Sequence, residues 1–283
     1  MDKSIVRSRD VISKLPFDLM IEIGKMCKDD ALWRVFVKKG NLSAAQLIQI
    51  GQTSESIYIW IPIAQTRKLS AEQMITMVEK CDYYENWIAV IKTRKLSGYQ
   101  MIYIGEHLNH WKAWIEIIKT RKLSVYQMTE IAQTNDYLCI WTAIINTGKL
   151  SAEQMMEIGK KLNESSIWGD IVRTGKLSVD QMMEIKELCK DTFLWMAIIE
   201  TGQLSVDQMK EMGQEEDTFG IWEAIVQTGK LPVDQMMEIG HRAEHPPIWN
   251  AIVRTGKLSV DQIIEIGKLV NDPELWKSLL KEN

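Results

Sequence analysis

Tryptophan recurs at one unvarying interval, at Trp33, Trp60, Trp87, Trp114, Trp141, Trp168, Trp195, Trp222, Trp249 and Trp276, and a leucine keeps the same step from Leu15 to Leu258. A fixed period of a few tens of residues means one supersecondary unit copied in tandem, each copy too small to bury its apolar face except against its neighbours. The register predicts an all-α chain: a right- or left-handed α-solenoid of ten 27-residue helix-turn-helix repeats over residues 15–283, forming a single elongated domain, with a lead-in or cap over residues 1–14.

The stretch from Leu150 to Lys176 shows how one copy folds. Ser151 precedes the apolar periodicity and Gln154 follows it by three, the spacing at which each side chain satisfies an orphan amide at a helix start. The pair recurs as Ser43 with Gln46, Ser70 with Gln73, Ser97 with Gln100, Ser124 with Gln127, Ser178 with Gln181, Ser205 with Gln208 and Ser259 with Gln262. Pro16 and Pro232 replace the serine in two copies, which the first turn of a helix tolerates. Met155, Ile158, Gly159 and Leu162 then share one face, and the small residue beside the isoleucine, as at Gly51, Gly105, Ala132 and Gly240, leaves room for a close helix approach. After a short polar turn of variable sequence, Ile167, Trp168, Ile171 and Val172 form the stripe of a second helix. That helix closes at Thr174-Gly175-Lys176, where a glycine can turn left-handed and a cation meets the negative end of the dipole. The recurring indoles are expected in the core, filling the space between adjacent hairpins and burying on the order of 150 to 250 Å² each.

No apolar run approaches the roughly 18 residues that would span a bilayer, so no membrane partner is expected. The segment 1–14 intersperses Asp2, Lys3, Arg7, Arg9 and Asp10 and lacks the apolar core of a secretion signal, which points to a cytoplasmic protein. Cysteine usage agrees. Cys27, Cys81 and Cys189 share one repeat position with Leu108, Leu162 and Val270 and read as small core hydrophobes, while Cys139 has no evident mate. Four free thiols suit a reducing compartment.

Motifs that resemble chemistry resolve into repeat features. His241-Arg242-Ala243-Glu244-His245 matches a metalloprotease string, yet it straddles a helix end and Pro246 and Pro247 follow at once. His107 and His110 fall in the same turn of another copy. Thr-Gly-Lys at Thr147, Thr174, Thr228 and Thr255 lacks the spacing of a phosphate loop and ends a helix instead. No Ser-His-Asp or Cys-His set can be argued into proximity. The expectation is a non-enzymatic protein with no catalytic residue, metal or cofactor.

Charge is uneven along the chain. Residues 1–149 hold 20 Lys and Arg against 15 Asp and Glu, whereas 150–283 hold 14 against 23. Later copies carry an acid at the fourth position, Glu153, Asp180, Asp207, Asp234 and Asp261, expected near a helix N-terminus and paired with the lysine of the preceding turn. Earlier copies have Ala45, Tyr99 and Tyr126 there, and Gln49, Thr76 and Tyr103 at the eighth position. In the same copies the closing glycine becomes Arg67, Arg94 or Arg121, although a side chain in the left-handed region costs about 1 kcal/mol or more relative to glycine. With Lys68, Lys92, Lys95, Lys119 and Lys122 these arginines form a basic edge beside Tyr99, Tyr103 and Tyr126. Such an edge, with the polar positions of the first helices, suits an acidic protein or peptide segment, or alternatively a nucleic-acid backbone with stacked bases.

The string Leu258-Ser-Val-Asp-Gln-Ile-Ile-Glu-Ile-Gly267, and its counterpart from Leu177 to Ile185, resembles the first helix of TAL-effector-like DNA-binding repeats over about ten positions per copy. The resemblance implies a superhelical stack and, by extension, contact with DNA. Those repeats are longer and read bases through a glycine-rich loop; here the equivalent turns, such as Asn163-Glu164-Ser165-Ser166, are polar, and the second helix does not match.

Overall fold

The computed structural model describes residues 12–270 except 55, 80–82, 136 and 244. Their regular structure is helical, with no strand among the described residues, and no helix among them is long and apolar enough to cross a membrane. The chain forms two compact units, Met1–Thr147 and Gly148–Asn283.

In the first unit, hairpins run α1 (Phe17–Cys27) with α2 (Asp30–Lys39), α3 (Ala44–Thr53) with α4 (Trp60–Gln65), α5 (Ala71–Val78) with α6 (Tyr84–Lys92), α7 (Gly98–Leu108) with α8 (Trp111–Lys119), and α9 (Val125–Thr134) with α10 (Leu138–Ile145). Pro62 sits in the first turn of α4, where its missing amide has no intrahelical duty, and a short 3-10 segment, Ile57–Ile59, leads in. In the second unit the order is α11 (Ala152–Leu162), α12 (Ser165–Arg173), α13 (Val179–Leu188), α14 (Thr192–Glu200), α15 (Val206–Glu216), α16 (Phe219–Gln227), α17 (Val233–Ala243), α18 (Pro246–Arg254) and α19 (Val260–Val270).

Local chemistry sets these boundaries. Ser43, Ser70, Ser97, Ser124, Ser151, Ser178 and Ser205 each accept a bond from the amide of the glutamine three residues on, and that glutamine accepts from the serine's own amide. Ser259 and Gln262 make the same pair. At the far end of the second helices a threonine hydroxyl donates to the carbonyl three residues back, as from Thr174 to Ile171 at 2.7 Å, and the next residue turns left-handed. Glycine fills that place at Gly148, Gly175, Gly202, Gly229 and Gly256, with φ from 66 to 70°.

Indoles line the core of both units. Trp33, Trp60, Trp87, Trp114, Trp141, Trp168, Trp195, Trp222 and Trp249 are all buried, and Trp276 lies outside the described residues. Their placement refines the expected spacer role: each of several indoles presses onto the first helix of its own hairpin. A Cβ added at Gly159 would fall 2.2 Å from the Trp168 ring, and the same holds for Gly51 on Trp60 at 2.0 Å and Gly105 on Trp114 at 2.2 Å. The small residue expected to permit close helix approach is thus a seat for the ring nine positions later.

Consecutive second helices pack closely within each unit, α2 on α4, α4 on α6, α6 on α8 and α8 on α10, then α12 on α14, α14 on α16 and α16 on α18. Among the described first helices only α1 and α3 approach comparably. The turn lysines tie successive hairpins together. The ammonium of Lys68 donates to the Leu42 carbonyl at 2.7 Å, Lys95 to the carbonyls of Arg67 and Leu69, Lys122 to those of Arg94 and Leu96, Lys176 to those of Gly148 and Leu150, and Lys257 to those of Gly229 and Leu231. For Lys176 and Lys257 this corrects the expected pairing with the fourth-position acids Asp180 and Asp261. A carbonyl at the preceding turn has no intrahelical donor, and a lysine one period later reaches it.

The cysteine reading also needs correction. Cys27 is exposed and Cys189 half-buried, because their register is the end of the first helix, where the apolar stripe runs out; both are free thiols, as is Cys139. Cys81 lies outside the described residues.

Candidate partner-binding surface

The closely packed second helices of the first unit carry two clefts. One, of about 390 Å³, is lined by Ile61, Gln65 and Arg67 from α4 and its closing turn, and by Glu85, Ile88, Ala89, Lys92 and Thr93 from α6 and its closing threonine. The other, of about 350 Å³, is lined by Ile115, Lys119 and Arg121, with Cys139, Thr142, Ala143, Asn146 and Thr147 opposite. Each residue of the second set stands two full periods after its counterpart in the first. The clefts are one feature, written twice.

An arginine rims each cleft because of its backbone. Arg67, Arg94 and Arg121 hold φ of 57, 61 and 61°, the left-handed region expected for them. At the equivalent glycines a Cβ would meet nothing within 4 Å, so a side chain there leaves the turn into open space beside the second helix. Between the two clefts, α6 and α8 are bridged: Glu116 lies 3.4 Å from the Lys92 ammonium and 3.0 Å from that of Lys119. Partial burial pushes the Glu116 carboxyl up, but the two lysines outweigh it and hold the group below the usual carboxylate range.

Arg67 and Lys92 therefore share one cleft, and Lys119 and Arg121 share the other. Lys68, Lys95 and Lys122 turn their ammonium groups onto carbonyls of the preceding turn. Tyr99 and Tyr126, 83% and 74% exposed, stand on the first turns of α7 and α9, on first helices and outside both cleft linings. Tyr103 donates to Glu79 at 2.8 Å, a bond that raises its pKa above the ordinary phenol value, and stacks on His107.

The period gives no sign of an aromatic ladder that the structure shows at the hairpin tips of the first unit. Tyr58 meets Tyr83 edge to face at 5.5 Å, Tyr84 stacks on His110 at 5.0 Å, and His110 stacks on Trp111. The Lys112 ammonium lies 5.5 Å from the Tyr84 ring and 5.4 Å from that of Trp111. The Tyr83 phenol is pushed up to about 12 by its hydrogen bond with Tyr58, by burial and by the nearby Glu85 carboxylate. Trp111 is the one sequence signal for this ladder, because it alone among the tryptophans stands out of register.

The histidine string of the second unit is divided among aromatic neighbours. His241 packs edge-on against Trp249 at 5.1 Å, His245 stacks on Phe219 at 4.4 Å, and Arg242 covers Trp222 while pairing with Asp217 at 2.7 Å. Glu244 lies outside the described residues. Among the described residues no group of three or more His, Cys, Asp or Glu is gathered as a metal would require.

None of the family models, curated proteins or solved structures compared with this chain matches it.

Proposed function

We propose that the chain is an α-solenoid of ten 27-residue repeats and that it works as a non-enzymatic scaffold, holding a protein or peptide partner against the second helices of its first unit. The observation that carries this reading is the left-handed arginine. Three successive turns, closed by Arg67, Arg94 and Arg121, keep a side chain where the second unit uses glycine, at φ near +60°. That conformation costs about 1 kcal/mol or more per residue relative to glycine, and the turn itself does not require the cost, since glycine closes it elsewhere. A strained backbone kept at three successive turns, two of them at the rims of matching clefts and the third between them, supports a role in recognition. The arginines lie along the second helices that also carry Lys92 and Lys119, so an acidic partner surface is the chemistry that fits.

The test is a purification from the native source on immobilised wild-type chain and on an Arg67→Glu, Arg94→Glu, Arg121→Glu variant of unchanged circular dichroism. A stoichiometric protein partner held by the wild type and released by the variant is the expected result; equal retention on both would overturn the reading. A second reading, nucleic-acid binding, is favoured by the ladder of Tyr58, Tyr83, Tyr84, His110 and Trp111 beside Lys112, since aromatic faces next to cations accept unpaired bases. Its mark would be an affinity for oligonucleotides that falls steeply and linearly in a log–log salt series.

A further inference from the structure

Resting on the scaffold reading, we infer that the partner's contact segment is an extended acidic peptide with two apolar anchor residues six positions apart, one anchor in each cleft. The two clefts repeat the same lining after two full periods, each with a half-buried aliphatic wall, Ile61 and Ile88 in one and Ile115 in the other, and each with an arginine at its rim. A single ligand crossing these second helices meets both. Neighbouring helices pack at about 8 to 10 Å, so clefts two helices apart are separated by about 16 to 20 Å. An extended chain advances about 3.3 Å per residue and returns a side chain to the same face at every second position. A step of six satisfies both conditions, with about 20 Å of reach and an even count that points both anchors inward.

The electrostatics fix the intervening chemistry. The cleft-lining and bridging residues supply the cations Arg67, Lys92, Lys119 and Arg121 against the anions Glu85 and Glu116, and Glu116 is already engaged by both lysines. Arg94 closes the turn between them with the same left-handed backbone. Carboxylates between the anchors would meet this surplus of positive charge. Apolar cleft walls argue against a bare phosphate backbone, which offers nothing to fill them. In the second unit the turn arginines give way to glycine, and Glu200 and Glu223 stand at the repeat positions of Lys119 and Ile115, so the same peptide finds a less favourable surface there.

Fluorescein-labelled synthetic peptides of alternating Asp and Ser, carrying leucines at i and i+6, at i and i+5, or at i alone, test this directly by anisotropy on the full chain. The i,i+6 peptide is expected to bind at least tenfold tighter than the other two, and an Arg67→Gly, Arg121→Gly variant, whose turns glycine does not strain, to bind all three more weakly while keeping the preference, since the aliphatic walls remain. Acidic peptides that bind regardless of leucine spacing would overturn the two-anchor inference and leave the scaffold reading standing. No peptide binding together with salt-steep binding of a single-stranded oligonucleotide would overturn both. Concentration-dependent dimerisation that the Arg→Gly variant abolishes, with no peptide binding, would assign the surface to a second copy of the chain and overturn the inference.

Discussion

Lys186 occupies in α13 the register that Gly159 and Gly213 hold one repeat before and after, and its ammonium lies 5.0 Å from the ring of Trp195. The side chain is buried, 3% exposed, and its charge is answered by Glu187 and by Glu215 of the next first helix. Burial pulls the Lys186 pKa down, yet the two carboxylates outweigh it and the net shift is upward. A substitution that removes the glycine seat for the ring has become a link between α13 and α15.

That link predicts asymmetric mutational effects. Glu215→Ala leaves a buried cation poorly answered and should lower stability by about 1 to 3 kcal/mol, whereas Lys186→Gly restores the seat and should be neutral or stabilising. Because the folded pKa is raised, the pair's contribution is fully present below the unfolded lysine value of about 10.4 and is lost as pH rises through the folded value. Urea titrations of wild type and Lys186→Gly should therefore differ by a constant amount between about pH 6, where carboxylates are ionised, and pH about 10, and the difference should move against the wild type above it.

Replacing Arg67, Arg94 or Arg121 by glycine should raise stability by about 1 kcal/mol each, since φ near +60° is strained for arginine and free for glycine. Thermal melts of the three single variants check this. Gly202→Arg in the second unit should do the reverse. Melts in which all three Arg→Gly variants are destabilised would show that the guanidinium groups hold the turns.

Gly159 and Trp168 should behave as one unit. A methyl group at Gly159 would stand 2.2 Å from the indole, so Gly159→Ala forces the ring to move and should cost about 1 to 3 kcal/mol. Trp168→Ala should cost about 3 to 5 kcal/mol through the cavity it leaves. In the double variant the added methyl enters that cavity, so the combined loss should fall short of the sum by about 0.5 kcal/mol or more, as it does for coupled neighbours. Strict additivity in urea titrations of the four proteins would mean the ring does not rest on the glycine.

The turn lysines give a gain-of-stability prediction. At Gln203 the lysine is replaced, so the carbonyls of Gly175 and Leu177 lack the lysine one period on that Lys176 provides for Gly148 and Leu150. Gln203→Lys should stabilise by about 1 kcal/mol and Lys122→Met should destabilise by a similar amount. Hydrogen exchange at the neighbouring turns would locate both effects.

Much of this architecture can be read before any coordinate. Serine with glutamine three residues on marks a helix start because both partners are local, and the left-handed arginines follow from aligning one copy with the next. The lysine-to-carbonyl bonds are not legible, since they depend on how far one hairpin lies from the preceding one, which no single copy specifies. For the same reason Lys68, Lys95 and Lys122 look in the sequence like surface charge available to a partner beside Arg67, Arg94 and Arg121. The clefts escape notice because each draws its walls from two copies, and the aromatic ladder because its members occupy the variable turn, where the period carries no information. Tyr99 and Tyr126 group with the arginines by proximity in sequence, although a helix start and a cleft wall face different neighbours.

The lysine ties reach back only 26 to 28 residues, to the turn of the copy just before. Every bond of this kind can form as soon as two adjacent hairpins exist, so a nascent chain leaving a ribosome would consolidate behind itself without waiting for its far end. Topologies with such short-range closure acquire structure quickly.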